Sequence, residues 1–204
     1  LFTTVTNVNF DSSVIEQLIL DGEQLIAKAK RLYEQAAEAK GITPEKIAEL
    51  ENWQVPKTRE AMLKESQAIG IAAKLDNLGA DITGLQELIT YGVKGMAAYA
   101  DHARILGVND ESVVAFFHEV LNFLTAPEAK DPDKLVPMAL KVGEVNLKTM
   151  ELLDKANTDA YGHPEPTSVR TTPVKGKAIL VSGHDLRDLD LLLQQTENKG
   201  INVY

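Results

Sequence analysis

Ala178-Ile179-Leu180-Val181-Ser182-Gly183-His184-Asp185-Leu186 is the stretch on which the fold turns. Its first five residues form a short apolar run that suits a buried parallel strand. Gly183-His184-Asp185 makes a turn, and Leu186, Leu189, Leu192 and Leu193 follow at helical spacing. Gly200 ends that helix, and Ile201-Asn202-Val203-Tyr204 reads as a second strand. Strand, helix and strand in this order make a βαβ unit.

Everything upstream reads differently. After the N-cap cluster Asp11-Ser12-Ser13, apolar or small residues recur at Ile15, Leu18, Ile19, Gly22, Leu25, Ile26, Ala29, Leu32, Tyr33, Ala36 and Ala37. Those spacings of three and four predict one long amphipathic helix with a bundle-type seam, closed by Gly41 as C′ residue. Thr43-Pro44 predicts a short helix, and Pro56 separates it from a helical stretch over Arg59–Gly70. Asp81 opens the next long pattern, through Leu85, Leu88, Ile89, Gly92, Met96, Tyr99, Ala103 and Leu106, which Gly107 ends. Gly92, Gly95, Ala97 and Ala98 are small enough for another helix to approach there. Asn109-Asp110-Glu111 starts a helix rich in Val113, Phe116, Phe117, Val120 and Leu121, its acidic residues suiting a helix N-terminus. Asp131-Pro132 starts one more, through Leu135, Met138, Val142, Met150 and Leu153. Composition changes after Asn157, and Tyr161–Lys177, with Gly162, Pro164, Pro166, Pro173 and Gly176, reads as a linker. The fold class is therefore mainly α. A helical bundle domain (1–160), a linker (161–177) and the first βαβ unit of a Rossmann-like α/β domain (178–204) follow one another.

Composition narrows the function. The 204 residues are 44% hydrophobic and 25% charged, as in ordinary globular proteins. Net charge is −9 with no dense Lys/Arg run, which argues against a nucleic-acid partner. No apolar run approaches the ~20 residues that span a bilayer, and no signal peptide is visible, so a cytoplasmic location is expected. There is no cysteine, which removes disulfides, cysteine-ligated zinc and any self-contained iron–sulfur cluster. Leu1 in place of an initiator Met, and a strand-like run closing at Tyr204, lead us to expect a piece of a longer chain.

Among the four histidines His184 stands out. It lies where a strand's carboxyl end turns into a helix, the place where open α/β sheets collect ligands and where helix N-terminal amides favour anions. Read from position alone it is either a metal-binding imidazole or a surface turn histidine. Asp185 either accepts the imidazole's other N–H or caps the helix. His102, beside Asp101 and Arg104, reads as solvated. His118 reads as a surface or satisfied histidine, and His163 as a shaper of the linker turn. Glu111 with Glu119, and Glu144 with Glu151, lack the Glu-x-x-His pairs of a diiron centre. Gly92-Val93-Lys94-Gly95 lies inside a helical pattern and lacks the spacing of a phosphate loop.

Four segments carry a resemblance. Thr3-Thr4-Val5-Thr6-Asn7-Val8-Asn9-Phe10-Asp11 resembles the opening of the second helical region of hybrid-cluster (prismane) proteins. Tyr91–Tyr99 with His102 and Leu106-Gly107 resembles their long central helix. Tyr161-Gly162-His163-Pro164-Glu165-Pro166-Thr167 is similar to their interdomain linker. Ser182-Gly183-His184-Asp185-Leu186, Gln195-Thr196-Glu197 and Gly200–Tyr204 resemble the first βαβ stretch of their second domain. Any one match is weak; four in order from end to end are specific.

The resemblance implies an oxidoreductase that reduces hydroxylamine to ammonia and water, with a role in nitric oxide or nitrosative stress. It implies two cofactors in the full-length parent, a cubane-type iron–sulfur cluster and a hybrid iron–sulfur–oxygen cluster. Only the hybrid cluster's histidine ligand maps here, onto His184. The cubane cysteines would precede Leu1, and the remaining hybrid-cluster ligands would follow Tyr204. The implied partners are the rest of the parent chain, hydroxylamine as substrate and an electron donor, with no nucleic acid and no membrane. This piece alone is expected to bind no cluster and to be inactive. The alternatives are a fragment of the carbon monoxide dehydrogenase group, disfavoured by the linker and Ser182–Leu186 segments, and a metal-free helical interaction module.

Overall fold

The computed structural model describes residues 11–44, 54–183 and 185–204. Long helices dominate: α1 (Ser12–Ala39), α2 (Arg59–Ile69), α3 (Ile71–Ile105), α4 (Glu111–Thr125) and α5 (Pro132–Tyr161), with a short 3-10 turn at Pro127–Lys130. The chain then forms β1 (Lys177–Ile179), α6 (Leu186–Thr196) and β2 (Ile201–Val203). A mainly α chain closing on a βαβ unit is thus what the sequence predicted. The short helix expected after Thr43-Pro44 falls on residues 45–53, outside the described residues.

Local chemistry sets the helix ends. Asp11 caps α1, accepting from the Ser13 and Val14 amides at 2.9 and 3.4 Å and from the Ser13 hydroxyl at 2.6 Å. Those bonds favour its charged form and hold its carboxyl below the usual carboxylate range, the Ser13 hydroxyl contributing most. At the other end Gly41 takes φ 65°, and the Gly41 and Ile42 amides donate back to the Glu38 and Ala37 carbonyls. Gly107 (φ 85°) closes α3 with the same pair of bonds, to Arg104 and, from Val108, to Ala103. A left-handed residue in that position is the glycine C-cap. Asp131 caps α5 through the Asp133 amide at 2.9 Å, with Pro132 in the first helical position, where its missing N–H costs nothing.

Two compact units emerge, one from Leu1–Gly95 with Val120–Val142, the other from Met96–Glu119 with Gly143–Tyr204. In the first, Ile89, Val93, Val120, Ala129, Leu135 and Val142 are buried. A Cβ on Gly92 would stand 3.0 Å from Val142 Cγ1, so the helix approach expected at the small residues of α3 occurs there. The buried Gln86 amide donates to the Ala129 carbonyl at 2.7 Å, satisfying the 3-10 turn. Only Ala37 of α1 is buried, and Leu25, Ile26 and Leu32 are more than half exposed. Ion pairs Arg59–Glu16 and Lys57–Glu23 tie α1 to the start of α2. The second unit buries Met96, Ala103, Val113, Phe116 and Ala156, and contains the βαβ unit.

The helical pattern expected from Asp81 follows a break at Gly79 (φ 78°, ψ 172°), a conformation essentially confined to glycine, and a helical stretch from Ile71 that was not expected precedes it. The last bundle helix runs to Tyr161, beside the expected domain end at residue 160, and Gly162 (φ 83°) follows it. One expectation needs correction. The strand expected over Ala178–Ser182 is regular only over Lys177–Ile179, paired in parallel with Ile201–Val203. Nor is it deeply buried: Leu180 is 83% exposed, since one helix covers only one face of two strands.

Candidate functional site

The turn between β1 and α6 is the candidate site, and its flanks are well defined. The Val181 amide donates to the Tyr204 carbonyl at 2.7 Å, and the Tyr204 amide to the Ile179 carbonyl at 3.0 Å. These bonds carry the parallel pairing past the regular ladder and hold the two carboxyl-terminal strand ends side by side. Gly183 takes φ 155°, where a side chain would be strained. Asp185 then caps α6, its Oδ1 accepting from the Arg187 and Asp188 amides at 3.1 and 3.4 Å. The capping half of the Asp185 alternative is therefore observed. His184 itself lies outside the described residues.

Behind the turn the unit is stitched by polar contacts. Thr196, almost buried, donates its hydroxyl to the Leu192 carbonyl at 2.9 Å, and Gln194 donates to Asp190 at 3.0 Å. Asn198 (φ 58°) and Gly200 (φ 65°) make the left-handed return into β2. The Tyr204 hydroxyl accepts the Val174 amide at 2.6 Å and closes residues 170–176 over β2. An open groove of about 500 Å³ lies there, lined by Arg170, Val174, Leu193, Asn198, Asn202 and Tyr204 among others. Neither Gly183 nor Asp185 lines it.

The other sequence candidates are dispersed. His102 is exposed on α3, edge-on to Tyr99 with ring centroids 6.3 Å apart. His118 on α4 and His163 beyond α5 are exposed. Glu111, Glu119, Glu144 and Glu151 are all exposed and line no interior centre. Among the described residues no three His, Cys, Asp or Glu side chains gather as a metal-binding group. The donor set in this chain does not by itself fit an iron–sulfur cluster, which is held by several thiolates, and there is no cysteine.

One charged cluster was not legible in the sequence. Asp110 caps α4 through the Ser112 amide at 2.8 Å, and Lys148 of α5 reaches both Asp110 (2.8 Å) and the Ser112 hydroxyl (2.6 Å). The Lys148 ammonium, then the Ser112 hydroxyl and amide, hold the Asp110 carboxyl well below the usual carboxylate range. This cluster locks two helices of one unit and offers no free ligand. No helix among the described residues is long and apolar enough to cross a membrane.

A family model described as the Prismane/CO dehydrogenase family matches residues 1–204. The chain is 48% identical over 204 residues to a hydroxylamine reductase of Rhodospirillum rubrum, covering 37% of that relative. It is 47% identical to the hydroxylamine reductase of Acidithiobacillus ferrooxidans and 46% identical to that of Acidithiobacillus ferridurans, covering 36% of each. In all three the whole of this chain is aligned, and it spans little more than a third of the relative's length.

Proposed function

Since the chain belongs to the Prismane/CO dehydrogenase family, we propose that it is one segment of a hydroxylamine reductase, and that His184 supplies one iron ligand of that enzyme's hybrid cluster. The observation that carries the reading is identity of 46–48% along all 204 residues to relatives of that name. The proposed reaction takes two electrons and two protons per hydroxylamine, breaks the N–O bond and releases ammonia and water. The electrons come from a donor protein or small carrier, and a role in nitrosative stress fits the substrate. The cubane-type and hybrid clusters belong to the full-length parent, whose thiolate ligands lie on other segments. The proposed boundaries are a helical domain to residue 160, a linker over 161–177, and an α/β cluster-binding domain from 178, in a cytoplasmic enzyme.

The local geometry supports a ligand role for the turn. A ligand histidine needs a rigid base, and position 184 is flanked in sequence by a strand end paired through the Val181 amide and by the Asp185 cap of α6. Because this chain's own donors do not complete a cluster, no catalytic step is assigned to it alone. The reading is tested in the full-length protein by hydroxylamine-dependent oxidation of a reduced dye, with ammonia measured as product. Stoichiometric ammonia supports it; carbon monoxide oxidation without ammonia formation from hydroxylamine would replace it with the other branch of the family.

A further inference from the structure

The break in α3 sets two interactions against each other. The helix runs from Ile71 to Ile105 but leaves helical geometry at Gly79 alone. Four residues on, the Thr83 hydroxyl is buried, at 1% residue exposure, and has no hydrogen-bond partner among the described residues. Its situation is unlike that of four other helical threonines. Thr90, Thr149, Thr158 and Thr196 each donate to the carbonyl four residues earlier, at 2.8, 3.0, 2.8 and 2.9 Å. For Thr83 that carbonyl belongs to Gly79, whose ψ of 172° turns it out of the helical direction. Restoring helical angles at Gly79 would restore the bond.

The opposing interaction is the ion pair Lys74–Glu87 at 2.6 Å, with the Glu87 side chain 18% exposed. Thirteen residues of straight helix span about 20 Å and place their ends on different faces, beyond the reach of the two side chains. The ion pair therefore exists only while the helix is broken. The segment it restrains is lightly held: none of residues 71–78 is buried, and Ile71 and Leu75 are each 44% exposed.

We infer that Gly79 is a hinge joining two states of α3, a broken one held by Lys74–Glu87 and a straight one held by a Thr83-to-Gly79 hydrogen bond. Only glycine serves both states, since the broken one requires positive φ and the straight one does not. The hinge is independent of the proposed reductase function.

Pulsed dipolar spectroscopy on this chain tests the hinge. The chain has no cysteine, so Asp76→Cys and Lys94→Cys, both at exposed positions, give two unique labels. In the straight helix their Cα atoms lie about 27 Å apart on one face. The expected parent distribution centres well short of that. Glu87→Gln should raise the fraction near the straight-helix distance severalfold, and Gly79→Ala should make it the majority. Adding Thr83→Val to Glu87→Gln should reverse most of the gain. A short distance retained in Glu87→Gln overturns the inference, and this variant alone decides it if Gly79→Ala does not fold. A broad distribution from a frayed segment, or a gain insensitive to Thr83→Val, overturns it as well.

Discussion

Gly92→Ala is the substitution whose outcome the packing fixes most closely. On an exposed helix the change would stabilise by about 1 kcal/mol, because glycine is the poorer helix former. Here the added Cβ would stand 3.0 Å from Val142 Cγ1, whereas carbon atoms rest at roughly 3.5–4.0 Å. Val142 is 5% exposed and sits inside α5, and a helical valine has essentially one χ1 rotamer with which to respond. The overlap must be relieved by moving helices apart, and such overpacking costs about 1–3 kcal/mol. The net expectation is destabilisation by up to about 2 kcal/mol, the difference of those two effects. Urea denaturation followed by circular dichroism reads the change directly. A double-mutant cycle isolates its cause: in a Val142→Ala background, where Cγ1 is gone, Gly92→Ala should turn stabilising, with a coupling of about 1–3 kcal/mol. Gly92→Ala that stabilises the parent chain, or a cycle with no coupling, would refute the close approach.

Two further outcomes are expected. The depressed Asp110 carboxyl contributes stability that is fully present above its ordinary value of 3.8 and is lost as pH falls below it towards the lowered folded value. Asp110→Asn should therefore lower the melting temperature at neutral pH and flatten its decline below pH 3.8; parallel curves for parent and variant would contradict this. Anaerobic reconstitution of this chain alone should give a colourless protein without cluster iron, because one imidazole does not replace several thiolates; stoichiometric iron and visible absorption would show a ligand set elsewhere in the chain.

What was legible in the sequence was what depends on near neighbours. Asp11, Asp110, Asp131 and Asp185 cap the helices they were read beside, and Gly41 and Gly107 end theirs, because caps involve residues two to five apart. The close approach at Gly92 was legible in the run of small residues. Other features depend on distant partners. Lys148 meets Ser112 across 36 residues, and no local pattern announces that contact. The helical stretch before the break at Gly79 went unread, although Leu75 falls on helical spacing with Ile82 and Ile89 beyond it. The apolar seam of α1 shows which face wants cover, but not what covers it, and Leu25 and Leu32 remain 66% and 55% exposed. The same limit applies to Leu180, whose apolar run signalled a strand while its burial depends on neighbours that two strands and a helix do not supply. At the candidate site the turn itself was legible from Gly183 and Asp185. The role proposed for His184 rests on resemblance alone, because a metal ligand is recognised by its partner ligands, and no metal-binding group gathers among the described residues.

The central claim is that His184 binds an iron of the hybrid cluster in the full-length enzyme. It is tested most directly by His184→Ala in that protein, following hydroxylamine reduction, iron-site spectra and helix content together. The account predicts loss of hydroxylamine reduction and a changed hybrid-cluster spectrum, with the helical domain's circular dichroism unchanged. Turnover at the parent rate with an unaltered cluster spectrum would show that His184 is a turn residue and that the site has been mapped to the wrong place.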